Sequence, residues 1–305
     1  MLNEEYIKIN NELKQNLASE KGINDVILHH YTSAEGLKGI LKDSEIWFSN
    51  TRFLNDSSEN NYIYDMFPRR YDEYEQSLDL EFYSQLDKIA NDFLNKDYCN
   101  INNKRLWADD IYVASFSLER DNLPLWNYYC HAANCVGYNI TFEKAPFEIS
   151  NISYSFISGK VIYKESEQYR LLKDIILKYN NLYVKNKEKF SADVNLKYDF
   201  YKHFVDIIEL YNIFFKNKAF GIEKEYRYAI YNIRNPRNVK WGYNIKNGYF
   251  IPHLKIKFLN DKIRQIGISP TENKDFVKRG TEMFLQIENC NSRIKVWASD
   301  IPQRY

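Results

Sequence analysis

From Glu165 to Lys218 the chain runs without one proline or glycine, and segments with strand character stand on both sides of that stretch. A linker needs residues that break regular structure, and they are missing here. Apolar residues recur at helical spacing among lysines, asparagines and tyrosines. The stretch 165–218 is therefore expected as a helical insertion, and whatever sheet the flanking segments form must close across it.

Those flanking segments are numerous. "DVILHHY", "EIWFSN", "DIYVASFSL", "VGYNITF" and "GKVIYK" precede the insertion, while "EKEYRYAIYNI", "WGYNIKNGYFIP", "KIRQIGIS" and "RIKVWAS" follow it. In "DIYVASFSL", Tyr112, Ala114, Phe116 and Leu118 alternate with Ile111, Val113, Ser115 and Ser117, the period of a half-buried strand. Asn247-Gly248 marks a hairpin turn. Helical patterns fall between the strands. Leu2, Tyr6, Ile9, Leu13 and Leu17 predict a helix over 2–20. Thr32 and Glu35 read as a capping box ahead of Leu37, Ile40 and Leu41. Most of 57–98 is expected to be helical, and a last helix is expected to begin at Thr271 or Glu272. The elements alternate in no regular βαβ rhythm, which argues for an α+β fold over a doubly wound one. The expectation is one α+β domain, 1–305, with the 165–218 helical insertion.

Composition excludes several classes. Apolar residues are 44% and aromatics 16%, enough for a packed core and too many for a disordered chain. No run approaches the roughly twenty apolar residues of a membrane helix, and "MLNEEYIKINNELKQ" lacks the apolar stretch of a signal peptide. A cytoplasmic protein with no membrane partner is expected. Cys99, Cys130, Cys135 and Cys290 are too few for a disulfide framework. Cys130, His131 and Cys135 have no second ligand pair, so no metal is expected. Charge is uneven: residues 201–305 hold 19 Lys and Arg against 10 Asp and Glu, a net +9, while residues 1–200 carry a net −8. A basic C-terminal third suits an anionic partner, or a solvated face.

The phosphate-binding loop, the Rossmann fingerprint, the zincin motif and the nucleophile elbow are all absent. What remains are polar clusters at strand ends. Thr32 is accounted for as a cap, but the helix start it opens can also receive a phosphate; His30 has no such structural reason. Ser49, Phe53, Asn55 and Asp56 follow the second strand, as an Asx-turn or as part of a site. On a strand, Glu223, Glu225 and Arg227 project to one face, as a solvated surface or as the lining of a cleft. Trp126, with Tyr128 and Tyr129, is core or a stacking platform.

Taken in order, "LHHYTSAEGLKGILKDSEIWFSNTRFLNDSSE", "VASFSLERDNLPLWNYYCHAANCVGYNITF", "EKEYRYAIY", "IRQIGISP" and "SDIPQRY" resemble the bacterial family catalogued as domain of unknown function 2971. More distantly, the His and Thr at a strand end followed by "LKGIL" are similar to the opening of ADP-ribosyltransferase folds, including DarT-type toxins that modify DNA. That resemblance implies NAD as co-substrate, with His30 holding it, Ser49 as a second-strand hydroxyl and Glu225 as the catalytic carboxylate. Glu223 completes an E-x-E spacing, and Arg227 keeps Glu225 ionised. Tyr31, Thr32, Phe53, Asn55 and Trp126 would line the NAD site, with Asp56 in support. The implied function is transfer of ADP-ribose to DNA, RNA or protein by a toxin or antiviral-defence effector, with an antitoxin or defence partner. NAD glycohydrolysis, non-catalytic binding of nucleic acid or protein, and a metal-independent nuclease using His30 and Glu225 are the alternatives.

Overall fold

The computed structural model describes residues 2–17, 26–54, 62–66, 77–94, 110–129, 136–143, 146–147, 153–246, 248–288, 290 and 293–302. It combines helices with one mixed sheet, the expected α+β class. Its residues fall into two compact units. One comprises Met1–Glu20, Thr51–Asp110 and Gly159–Phe220, the other Lys21–Asn50, Ile111–Ser158 and Gly221–Tyr305.

The first unit is helical. Its described helices are α1 (Leu2–Leu17), α3 (Tyr62–Met66), α4 (Leu80–Leu94), α6 (Glu165–Ala192) and α7 (Val194–Asn212). The stretch without proline or glycine is thus two long helices. They part at Asp193, whose carboxylate accepts from the backbone N–H groups of Asn195 and Leu196 and so caps α7. The core is aromatic: Phe82, Tyr179, Tyr183, Phe200 and Phe204 are buried together. Two tyrosine hydroxyls of this unit reach α1. Tyr179 donates to Asn10 Oδ1 at 2.8 Å and Tyr211 to the Leu13 carbonyl at 2.6 Å, which ties α1 down over its buried Tyr6, Leu13 and Leu17.

The second unit holds the sheet and the helices α2 (Ala34–Asp43), α5 (Leu123–Tyr129) and α8 (Lys274–Ile287). Its strands are β1 (Ile27–Thr32), β2 (Glu45–Asn50), β3 (Tyr112–Ser117), β4 (Tyr138–Glu143), β5 (Ser155–Lys160), β6 (Glu225–Tyr231), β7 (Trp241–Lys246), β8 (Tyr249–Lys257), β9 (Ile263–Ile268) and β10 (Lys295–Ala298). They run in the order β10-β9-β4-β1-β3-β2-β8-β7, with β6 on β3 and β5 on β6. β1 with β3 and β4, β2 with β3 and β8, β3 with β6, β4 with β9 and β7 with β8 pair antiparallel, whereas β10 runs parallel to β9.

Strand β3 organises this sheet. Along one edge it pairs with β6 over its whole length, from Tyr112↔Ile230 to Ser117↔Glu225. Its other edge is divided. There β1 meets it only at Ser117, opposite His29, and β2 only at Tyr112 and Val113. Between those points β1 and β2 part company, and the sheet splits.

Three expected boundaries move. The helix after β1 is capped by Ser33 and not by Thr32: Ser33 Oγ accepts from Gly36 N at 3.1 Å, whereas Thr32 is still in the strand. The strand placed at "GKVIYK" begins earlier and ends at Lys160, so Ile162 keeps only an isolated parallel bridge to Phe215. The last helix begins at Lys274, after a turn containing Thr271 and Glu272. Asn247, half of the expected hairpin turn, lies outside the described residues, but Gly248 has φ +82°, the conformation such a turn requires of it.

Candidate active site

Strand side chains alternate between faces, and residues directly opposite one another share a face. The register therefore fixes one cross-strand row: Gln265 on β9, Thr141 on β4, His29 on β1, Ser117 on β3 and Glu225 on β6. One step along lie Gly267, Asn139 and Tyr31, and across β3 the pair Ser115 and Arg227. This face of the sheet is polar. The opposite face carries Leu28, Phe116, Ile140, Phe142, Tyr226 and Tyr228 and is apolar.

Glu225 and Arg227 are the charged centre of the polar face. Both are buried, at 7% and 2% exposure. Arg227 donates from Nε to one carboxylate oxygen at 2.7 Å and from a terminal nitrogen to the other at 2.9 Å. Such a two-bond fork holds the guanidinium and the carboxylate in one plane and keeps the carboxylate oriented. A solvated strand surface is excluded by the burial.

Glu223 does not join them. It closes a short 3₁₀ turn, Lys218–Glu223, and Lys224 follows at φ +42°, so the strand alternation begins only at Glu225. The E-x-E spacing in the sequence is not a shared strand face in space. The Glu223 carbonyl accepts from Ser117 Oγ at 2.7 Å.

The two adjacent histidines of β1 lie on opposite faces of the sheet. His30 lies on the apolar face, its ring 5.3 Å from that of Phe116, and its Nδ1 is 3.1 Å from the Ser115 carbonyl at the divided edge of β3. Burial lowers its pKa, partly offset by that carbonyl. It is on the other side of the sheet from Glu225. His29 occupies the polar row, with Nδ1 3.1 Å from Thr141 Oγ1. Burial depresses its pKa to about 4, against the opposing influence of Asn139, so the ring is neutral near pH 7.

A loop seals the end of this face. Leu118 N donates to the Lys224 carbonyl and Glu119 N to Ser117 Oγ. Tyr31 then donates to the Glu119 carbonyl at 2.9 Å and accepts from Asn122 N at 3.1 Å, while Asn139 donates to the Arg120 carbonyl at 3.0 Å. Asp121 accepts from Trp126 Nε1 at 2.7 Å and from Ser299 Oγ at 3.0 Å. Residues 118–122 are thus held by β1, β4, α5 and the chain after β10. Trp126 is fully buried, edge-on to Tyr31 at 4.7 Å, and is core, not the stacking platform expected of it. The indole more open to a ligand is Trp297. It lies over Gly267, where a Cβ would come within 2.4 Å of the ring, with the Arg120 guanidinium 4.2 Å from its centroid. Its Nε1 is buried and makes no hydrogen bond within the described chain.

The other expected residues are dispersed. Ser49, opposite Val113, shares the polar face but stands two positions along β3 from Ser115. Thr32 ends β1, packed against Gly36. Phe53 belongs to the first unit, in a 3₁₀ turn, and Asn55 and Asp56 lie outside the described residues. So do Cys99, Cys130, His131 and Cys135; among the described residues no cluster of His, Cys, Asp and Glu could hold a metal ion, and no helix is long and apolar enough to cross a membrane. The residues sequence reading passed over are His29, Ser117, Asn139 and Trp297. The signal for Ser117 was present in "ASFS", where two hydroxyls recur at strand period opposite Phe116.

Comparison with known proteins gives one match. A family model described as Protein of unknown function (DUF2971) matches residues 125–228, a span that ends on Glu225, Arg227 and Tyr228. No curated protein and no solved structure matches the chain.

Proposed function

We propose that the protein is an NAD-dependent ADP-ribosyltransferase whose reactive face is the row His29, Ser117 and Glu225. The observation that carries this reading is the Glu225 carboxylate, buried, ionically paired with Arg227 and aligned across adjacent strands with a hydroxyl and a neutral imidazole. A first-strand histidine, a hydroxyl and a later-strand glutamate are what the resemblance to ADP-ribosyltransferases implies. The register supports His29 and Ser117 for the first two roles in place of His30 and Ser49.

The residues fit the co-substrate. NAD supplies a glycosidic bond between C1′ of ribose and the cationic nicotinamide nitrogen; as that bond breaks, its electron pair leaves with nicotinamide, and an acceptor lone pair forms the new bond to C1′ while the acceptor's proton passes to solvent. Positive charge grows on the ribose during this exchange, and a fixed carboxylate stabilises it. Glu225 serves that purpose, oriented by Arg227. His29, neutral, offers a hydrogen bond without adding repulsive positive charge. The unpartnered Trp297 N–H and the Arg120 guanidinium beside it suit a polar, anionic ligand. With water as acceptor the same residues perform NAD glycohydrolysis.

Nicotinamide release from NAD tests the reading. Wild-type protein should release it, and Glu225→Gln should lower the rate at least about a hundredfold, as loss of a transition-state charge does, with the thermal midpoint recorded to exclude unfolding. Absence of release with nucleic-acid and protein acceptors present would sink the proposal. Non-catalytic nucleic-acid binding has its own support in the net +9 of residues 201–305. Under that reading Glu225→Gln leaves salt-dependent binding intact.

A further inference from the structure

Beyond residue 252 toward its tip, β8 loses its neighbour β2, whose pairing covers only His253 to Lys257. Among the described residues, the segments Tyr243–Lys246 and Tyr249–Pro252 therefore form a two-stranded arm paired only with itself. A soluble arm of this kind is expected to carry charged or small residues, because an exposed apolar ribbon invites aggregation. This one carries Tyr243, Ile245, Tyr249 and Phe250, all between 59% and 73% exposed. The Tyr243 and Phe250 rings meet edge to face at 5.5 Å on one side, and Tyr249 stands on the other.

The chemistry around the arm is of one sign. Between residues 234 and 260 there are six Lys and Arg and no Asp or Glu. Lys240 is paired with the buried Glu45, so its charge is spent within the fold. Arg237 and Lys257 are exposed, and Lys255 Nζ lies 5.6 Å above the ring of Trp47. Trp47, 45% exposed, is itself stacked on His253 at 4.1 Å and 10°, a pair that fits because Gly242 has no Cβ to meet the histidine ring. At its base, then, the arm has a rigid aromatic shelf with a cation over it.

We infer that this arm is a docking surface for single-stranded nucleic acid. Open aromatic faces take unpaired bases by stacking, and the cations follow the phosphates; a duplex, whose bases are already stacked, offers the aromatics nothing. A protein partner would use the aromatics but has no need of a stretch with six cations and no acid of its own. The inference stands apart from the NAD chemistry and, if both hold, names where the acceptor strand lies.

Fluorescence anisotropy with a labelled oligothymidylate of about twenty nucleotides, enough for several stacking positions, tests it in the full-length protein. Binding is expected to weaken tenfold or more between about 50 and 200 mM salt. A duplex of equal length should bind less tightly. The double variant Tyr249→Ala/Phe250→Ala should lose at least about tenfold in affinity while its thermal midpoint stays within about a degree or two of wild type, since both side chains are exposed. Lys255→Gln should shallow the salt slope by about one phosphate contact. Undiminished binding in the double variant, equal affinity for heparin and oligothymidylate, or concentration-dependent self-association abolished by the same substitutions in place of nucleic-acid binding would each overturn it. Nicotinamide release into water should be unchanged in the arm variants. Loss of strand binding in a protein that never cleaves NAD would leave this inference standing and remove the transferase.

Discussion

Arg227 and Glu225 hold each other in the interior through a two-bond fork. Removing one partner of a buried pair leaves an uncompensated charge at a cost of about 3–5 kcal/mol. Arg227→Met should therefore lower unfolding free energy in urea by that amount, and Glu225→Gln added to it should restore much of the loss. His29 gives a pH signature. Its pKa in the folded protein is about 4, below the ordinary 6.5. As pH falls, the unfolded chain takes up the proton first, so this contribution is full above about pH 6.5 and is lost toward pH 4, at up to about 1.4 kcal/mol per pH unit. His253, also near 4 through burial and then Lys255, adds a second contribution of the same sign. Urea midpoints measured across that window should fall with acid, and His29→Gln should flatten the fall. The sequence made Glu225 and Arg227 visible because two charges at strand spacing invite a pairing. It hid the choice between His29 and His30, since adjacent residues differ only in phase, and phase is set by partners far away in the chain.

Most elements were legible from periodicity; their ends were not. "TSAEG" offers two hydroxyls in succession, and either can cap a helix. Thr32 is claimed by the ladder to β4, opposite Tyr138, which leaves Ser33. Ser33→Ala should cost about 1 kcal/mol, and Thr32→Ala should not reproduce the loss of the cap bond; denaturation of the two variants separates them. Gly267→Ala tests the seat of Trp297. The added methyl would stand 2.4 Å from the ring, so a destabilisation of about 1–3 kcal/mol is expected from overpacking, with a shift in indole emission. Strand β6 was expected to begin two residues earlier. A left-handed Lys224 is invisible in composition, because lysine carries no preference for that conformation as glycine does.

At the scale of the molecule, the sequence announced helices and strands but not the two-unit grouping of three segments each, because that depends on which distant segments share a core. Local contacts form sooner than distant ones. On dilution from urea, the far-ultraviolet signal of the helices should therefore recover before indole fluorescence, which reports Trp126 and Trp297 packed on the sheet; simultaneous recovery would count against this order. The divided edge of β3 carries the point further. β3 finds β1 and β2 already made and must wait for β6, which is made long after. During synthesis His29 and Ser117 are out of the ribosome while Glu225 is still unmade, with α6 and α7 to be translated in between. A chain arrested anywhere before β6 therefore lacks both Glu225 and Arg227, and the charged centre of the polar face is assembled only when the sheet receives its last partner for β3.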